Sequence, residues 1–250
     1  MRRWLVAFVF PLLLLAGCQG PAPVRKAPPS PLIATRSRPQ PRYTPPLAPL
    51  PPPPEERFVP PPPPPPPAPG VALNPRELTP PGGVQGARWQ AIVVHHSSSP
   101  RDTPQGMHQY HLKEKRWAGG LGYHFVIGNG VGYPDGKVFV GPRWKRQASG
   151  AHCKSDAGRY SGVWRERNFF NTHAVGICLI GNFEQSSPTP KQLATLEALI
   201  AWLCDSTRAA PERVYGHGGV THKTICPGKL LSAKLPSVVR QAAVYAGSVR

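Results

Sequence analysis

Proline decides most about what this chain can fold into. Between Gln19 and Gly86, 26 of 68 residues are Pro, with unbroken runs at 51–54 and 60–67. Proline has no backbone N–H to give to a helix or a sheet, and a Pro-rich chain favours extended polyproline II, rising about 3.1 Å per residue. No core is expected there. The segment reads as a semi-rigid tether of roughly 200 Å at full extension, favoured over the alternative of a ligand for a Pro-recognition domain. Folding is thereby confined to residues 87–250, 164 residues that suffice for one domain with a sizeable core.

Upstream of the tract the sequence reads as an export signal. Arg2 and Arg3 precede an apolar run from Leu5 to Ala16, about half the ~20 residues a membrane-spanning helix needs. The run ends in Leu15-Ala16-Gly17-Cys18, which looks like a bacterial lipobox, so residues 1–17 are expected to be cleaved and Cys18 to become a lipid-modified N-terminus. Gln19 rather than Asp follows it, which in a proteobacterium directs such a protein to the outer membrane, facing the periplasm. The expected organisation is therefore signal peptide 1–17, lipidated Cys and Pro-rich linker 18–86, folded domain 87–250.

Within the domain the patterns are mixed α and β. Trp89 to His95 is a strand apolar on both faces, hence buried on both sides. Asp102 or Thr103, followed by Pro104, opens a helix expected to run to about Trp117–Gly120, since Pro at the first helical position lacks only a donor that has no partner. Tyr123–Gly128 and Lys137–Val140 flank a Pro-Asp-Gly turn and read as a hairpin, residues 147–172 read as a long loop, and Ala174–Phe183 as a second buried strand. Thr189 with Gln192 is a capping box, followed by Leu193, Leu196, Ile200 and Leu203 at helical spacing. A short strand, Arg213–Tyr215, and a covering helix, about Leu235–Tyr245, complete the chain.

Two polar clusters stand out against this background. His95-His96-Ser97-Ser98 ends the first strand, and Val214–Gly228 places His217, Lys223, Thr224 and Cys226 within ten residues. Successive strand residues point to opposite faces, so His95 and His96 are not expected to reach one ion together. Two His and one Cys leave a tetrahedral Zn²⁺ one open position, the mark of a catalytic rather than a structural zinc.

These residues resemble the zinc amidase family that includes type 2 N-acetylmuramoyl-L-alanine amidases and the peptidoglycan recognition proteins. The resemblance covers roughly Arg88–Lys234 and rests on Val-Val-His-His-Ser-Ser at 93–98, Gly-Tyr-His-Phe at 122–125, Gly-Ile-Cys-Leu-Ile-Gly-Asn-Phe at 176–183, and Gly-His followed by Cys-Pro-Gly. It implies an α/β fold with a mixed central sheet flanked by helices, and Zn²⁺ held by His95, His217 and Cys226. It implies a water nucleophile directed at the amide between N-acetylmuramic acid and L-alanine, with Tyr123 stabilising the oxyanion. Thr224 resembles the second polar group of the recognition-protein branch, and Lys223 beside it is the alternative. His152, in Gly150-Ala151-His152, resembles the groove-lining segment and is expected to contact substrate. One branch carries a catalytic Glu where this chain has Cys178, so a carboxylate base is not expected at that position.

The partner implied is peptidoglycan, met by a monomeric catalytic domain, with a non-catalytic binder as the runner-up. Charge agrees with an acidic partner: the chain is formally +18, and residues 87–250 hold 21 Lys and Arg against 9 Asp and Glu. No nucleic-acid motif accompanies this excess, and an exported protein rarely meets nucleic acid, so stem-peptide carboxylates or an anionic membrane surface fit better. Of the remaining cysteines, Cys178 and Cys204 lie on a strand and its covering helix, and either pair or pack as small apolar residues.

Overall fold

In a computed structural model the described residues are 73–248. The expected signal peptide, Cys18 and the two unbroken proline runs lie outside them.

The sequence places the start of folding at 87, but the packed structure begins earlier. Asn74 caps a one-turn helix, α1 (Pro75–Leu78), by accepting from the Arg76 N–H at 3.1 Å. Leu78 is buried in the main core, and its carbonyl accepts from the Trp144 indole at 2.7 Å. Gln147 receives the Gln85 N–H at 2.9 Å and the Trp89 indole at 2.8 Å, so residues 73–86 are tied to the domain. One apolar side chain and a few satisfied backbone groups outweigh the local proline content.

The next elements are β1 (Ala91–His96), α2 (Pro104–Lys113), β2 (Phe125–Ile127), β3 (Val138–Val140), α3 (Pro142–Lys145), β4 (Gly158–Tyr160) and β5 (Val163–Arg165). They are followed by α4 (Phe169–His173), β6 (Ala174–Leu179), α5 (Pro190–Ser206), β7 (Val214–Gly216), α6 (His217–Thr221) and α7 (Lys229–Ser248). Five strands form one sheet in the order β3-β2-β6-β1-β7, parallel except for β3, which pairs antiparallel with β2. The mixed α/β architecture is as expected, and the central strands β1 and β6 are buried along their whole length.

Strand alternation divides the molecule. Ile92, Val94, Val175, Ile177 and Leu179 pack with Leu196, Leu199, Ile200 and Leu203 of α5 and Leu231, Leu235 and Val238 of α7. The opposite face carries two smaller clusters, one around Val93, Cys153, Phe169, Phe170 and Ala174, the other around Met107, Leu121, Val126, Cys178 and Ile180. Cys178 therefore points away from α5, while Cys204 packs against the α5 side, and both thiols are free. The sheet stands between them, which settles the open pairing in favour of packing.

Local signals fix several boundaries. Thr103 caps α2 by accepting from the Gly106 N–H at 2.9 Å, and Thr189 with Gln192 forms the full capping box of α5. Several boundaries differ from the sequence reading, among them the end of β6, which stops at Leu179 rather than Phe183. Helix α2 stops at Lys113, the expected loop 147–172 contains the β4–β5 hairpin and α4, and α7 starts six residues earlier than expected and carries Pro236 internally. Among the described residues no helix is long and apolar enough to cross a membrane.

Candidate metal centre

The centre is assembled at the carboxyl ends of β1 and β7, where ligands commonly bind open parallel sheets. His95 is the fifth residue of β1 and lies on the face away from α5; it is buried. His217 opens α6 immediately after β7, and His222, in the left-handed region at φ 52°, ends that helix and turns the chain back. The returning loop lies against the first turn of α6: the Gly218 N–H donates to the Cys226 carbonyl at 2.6 Å. A Cβ at Gly218 would sit 2.5 Å from the Thr224 carbonyl oxygen. Only glycine permits this approach, and it delivers Cys226 to His95.

The metal-binding atoms of His95, His217 and Cys226 all lie within 4.8 Å of one another. Cys226 Sγ is 3.8 Å from His95 Nδ1, and the His95 and His217 rings are 4.6 Å apart between centroids. Two such donors on a tetrahedral zinc stand about 3.6 Å apart, from typical Zn–N and Zn–S lengths. Burial, followed by the neighbouring histidines, holds His95 well below its ordinary pKa, and burial likewise lowers His217, so both favour the neutral form that binds metal. Burial pushes the Cys226 thiol up to about 12, although the His96 N–H, 3.4 Å from Sγ, works in the opposite direction. A buried thiol of this kind ionises when a cation replaces the water it has lost. The donor set fits zinc.

His96 takes no part. Its Nδ1 accepts from the Phe183 N–H at 3.3 Å and its Nε2 pairs with Ser98 Oγ at 3.1 Å, which fixes the turn after β1.

Two cavities flank the trio. One, of about 700 Å³, is lined by His96 to Ser99, Asp102, Met107, Tyr110, His111, Tyr123, His217 and Cys226. Tyr123 is half-buried in it, its ring 5.1 Å from that of His95. Burial and the nearby thiols, with which it shares a hydrogen bond at Cys178, raise its pKa well above 10.0, so the phenol stays a donor. The second cavity, about 480 Å³, is lined by Lys154, Asp156, Arg167, His217, Thr221, Lys223 and Thr224.

The structure treats the other expected site residues differently. Thr224 lies between the second cavity and the loop, its Oγ1 accepting from the Cys226 N–H at 3.2 Å. Lys223 is exposed and its Nζ is 2.8 Å from Asp156, so its ammonium is engaged with a carboxylate. His152, expected to contact substrate, is buried; its Nδ1 is 3.1 Å from His95 Nε2 and its Nε2 is 3.2 Å from the Ala174 carbonyl. It stands behind the trio rather than in a groove wall, because the Asn171 side chain holds the His152 and Cys153 N–H groups at 2.8 Å each and turns the ring inward. Sequence reasoning missed Met107, Tyr110 and His111. Their i, i+3, i+4 spacing puts them on one face of α2, and that was the available signal.

Fold and trio together define a mixed α/β domain with a His-His-Cys centre at the carboxyl ends of its parallel strands. The N-acetylmuramoyl-L-alanine amidase family profile matches residues 85–229, and the chain belongs to that family. Among curated proteins it is similar to peptidoglycan recognition protein 1 of Bos indicus, 30% identical over 147 residues, covering 55% of this chain and 65% of that protein. It is also similar to peptidoglycan-recognition protein LB of Drosophila melanogaster, 28% identical over 156 residues, covering 58% of this chain and 57% of the relative. The chain thus spans just under two thirds of the first of these relatives and less of the second. Among solved structures, the N-acetylmuramoyl-L-alanine amidase LysC from Clostridium intestinale URNW aligns with 27% identity and a TM-score of 0.48, covering 62% of this chain and 87% of that one.

Proposed function

We propose that this protein is a zinc-dependent amidase that cleaves peptidoglycan between N-acetylmuramic acid and L-alanine. The observation that carries the reading is the convergence of His95 Nδ1, a His217 ring nitrogen and Cys226 Sγ beside a phenol that stays protonated. His95, His217 and Cys226 would hold the ion. Zinc bound there supplies Lewis acidity, polarising a carbonyl and lowering the pKa of water toward 7. Tyr123 has the part of hydrogen-bond donor to the oxygen of the attacked carbonyl, a role its raised pKa preserves across the neutral and moderately alkaline range. Thr224 braces the Cys226 loop from the side of the second cavity, and Lys223, held by Asp156, shapes the rim there.

Cys18, outside the described residues, is proposed to carry lipid, anchoring the protein in the outer membrane facing the periplasm. The Pro-rich segment would then let the domain reach the wall. The relatives named as recognition proteins support a second reading, a binder that holds peptidoglycan without cutting it. Incubating the protein with purified sacculi, with and without chelator, and weighing the released products separates the two. The enzyme reading expects peptides beginning at L-Ala, released only when zinc is present. No release after zinc restoration, with sacculi still bound, would establish the binder instead.

A further inference from the structure

One buried polar side chain at the centre has no part in the reaction as proposed, namely His152. Its surroundings are built for a ring. A Cβ on Gly176 would lie 2.5 Å from His152 Cδ2, and a Cβ on Gly150 would also collide with that ring. Two glycines thus leave room for one imidazole. The backbone is equally constrained, because Asn171 Oδ1 accepts from both the His152 and Cys153 N–H groups.

The hydrogen-bond order around the ring is determined by its far end. The Ala174 carbonyl can only accept, so the proton of a neutral His152 ring must sit on Nε2, 3.2 Å away. Its Nδ1 is then an acceptor, and the group facing it at 3.1 Å, His95 Nε2, must carry the hydrogen. That leaves the lone pair of His95 on Nδ1, the atom 3.8 Å from Cys226 Sγ. The chain from Ala174 to His152 to His95 therefore selects the one tautomer of His95 that can join Cys226 and His217 around an ion.

We propose that His152 is a positioning residue for zinc: it fixes the tautomer and ring orientation of His95 before any metal arrives. The inference rests on the metal reading above and deepens it. Metal-binding histidines usually give their second N–H to a carboxylate, a carbonyl or water. Here an uncharged imidazole is interposed before the carbonyl, so His95 is oriented without a second anion, and Cys226 remains the only charged ligand of the trio.

The test compares His152→Leu and His152→Gln in the full chain. Glutamine can accept from His95 through Oε1 and donate to Ala174 through Nε2, whereas leucine fills space alone. Zinc affinity is read by competition with a chromogenic chelator, and the His95 tautomer by ring ¹⁵N shifts of the zinc-free native protein. The expected result is a zinc affinity about 10- to 100-fold weaker for leucine and less than about tenfold weaker for glutamine, with Nδ1 of His95 unprotonated in the zinc-free protein. A folded leucine variant that binds zinc as tightly as the native chain overturns the inference. So does a native zinc-free protein whose His95 carries its proton on Nδ1. Should the leucine variant fail to fold, glutamine decides: a folded His152→Gln protein that loses tenfold or more in affinity removes the proposal. If the native chain takes up no zinc at all, the metal reading itself falls and this inference with it. Intact zinc binding without release from sacculi would sink only the enzyme reading.

Discussion

His124 makes acid a direct probe of the packing beneath the site. It is fully buried, its ring 4.8 Å from Trp89 and 5.6 Å from His152. Its Nδ1 accepts from the Gly176 N–H at 2.9 Å and its Nε2 donates to the Ala148 carbonyl at 3.1 Å, so the neutral ring satisfies both partners. A proton on Nδ1 would break the first bond and charge a group with no water. Burial accordingly pushes the pKa from 6.5 down to about 3, against a smaller opposing effect from the Ala148 carbonyl. A histidine that is neutral when folded and charged when unfolded binds more protons in the unfolded state. Stability is then full above the unfolded pKa near 6.5 and falls as pH drops below it, until the folded value is passed.

Between pH 7 and 4.5 this one group should remove roughly 2.5 kcal/mol, or about 5–10 °C of melting temperature for a domain of this size. His124→Gln is the matching perturbation, since an amide can reproduce both hydrogen bonds but does not titrate. At pH 7 the variant should be the less stable protein, by on the order of 1–3 kcal/mol for the lost ring packing. At pH 4.5 that deficit should close or reverse. Denaturant unfolding with chelator present removes zinc-linked stability from both measurements, and the acid titration of His95, His217 and the remaining histidines is common to both proteins, so it cancels in the difference. A stability difference that stays the same at the two pH values would refute the reasoning.

Tyr123→Phe should keep zinc and change stability by less than about 1 kcal/mol, because the thiol of Cys178 also has the Leu179 carbonyl within 3.8 Å. Its turnover on sacculi should drop about 10² to 10³-fold; near-native turnover would make Tyr123 a core residue only. Cys226→Ser should lose zinc and activity while still sedimenting with sacculi, whereas Cys178→Ser, on the neighbouring strand, should keep its zinc; the opposite result by metal analysis would reassign the ligand. Cys18→Ser should move the protein from the membrane to the soluble exported fraction, and a native protein without lipid in its mass spectrum would remove the anchor.

Much of the centre was legible because it depends on local rules. Alternation along β1 implied that His95 and His96 do not share an ion, the family resemblance chose His95 between them, and the closely spaced His217 and Cys226 after a short strand offered the other two candidate donors. Capping chemistry placed the start of α5 at Thr189 and narrowed that of α2 to Asp102 or Thr103, of which Thr103 is the cap. What the sequence did not show depends on contacts between distant segments. His152 meets His95 across 57 residues and was read as a groove residue, although the glycines at 150 and 176 carry the trace of a ring packed closely on two backbone segments. The start of folding was set at 87 because proline content is a statement about average composition. Leu78 needed only one turn of helix and the Trp144 indole to join the core. Cys178 and Cys204 were left open, yet Cys178 shares its face with Gly176 rather than with Ile177 and Leu179, so the same alternation already pointed it away from α5.

That alternation also explains why β6, which holds no metal-binding residue, organises the centre. Its three positions facing the site are Ala174, Gly176 and Cys178, and each meets a different polar ring. The Ala174 carbonyl orients His152, the Gly176 N–H holds His124, and Cys178 belongs to the cluster on which Tyr123 packs. A larger side chain at 176 would occupy the volume the His152 ring needs, as the position of a Cβ there shows directly. The small residues of β6 therefore act on the centre through what they leave room for. Gly176→Ala, which changes no donor or acceptor, should on this argument disturb zinc binding through His152 and acid stability through His124 at once, whereas a substitution at Cys178 should reach only Tyr123.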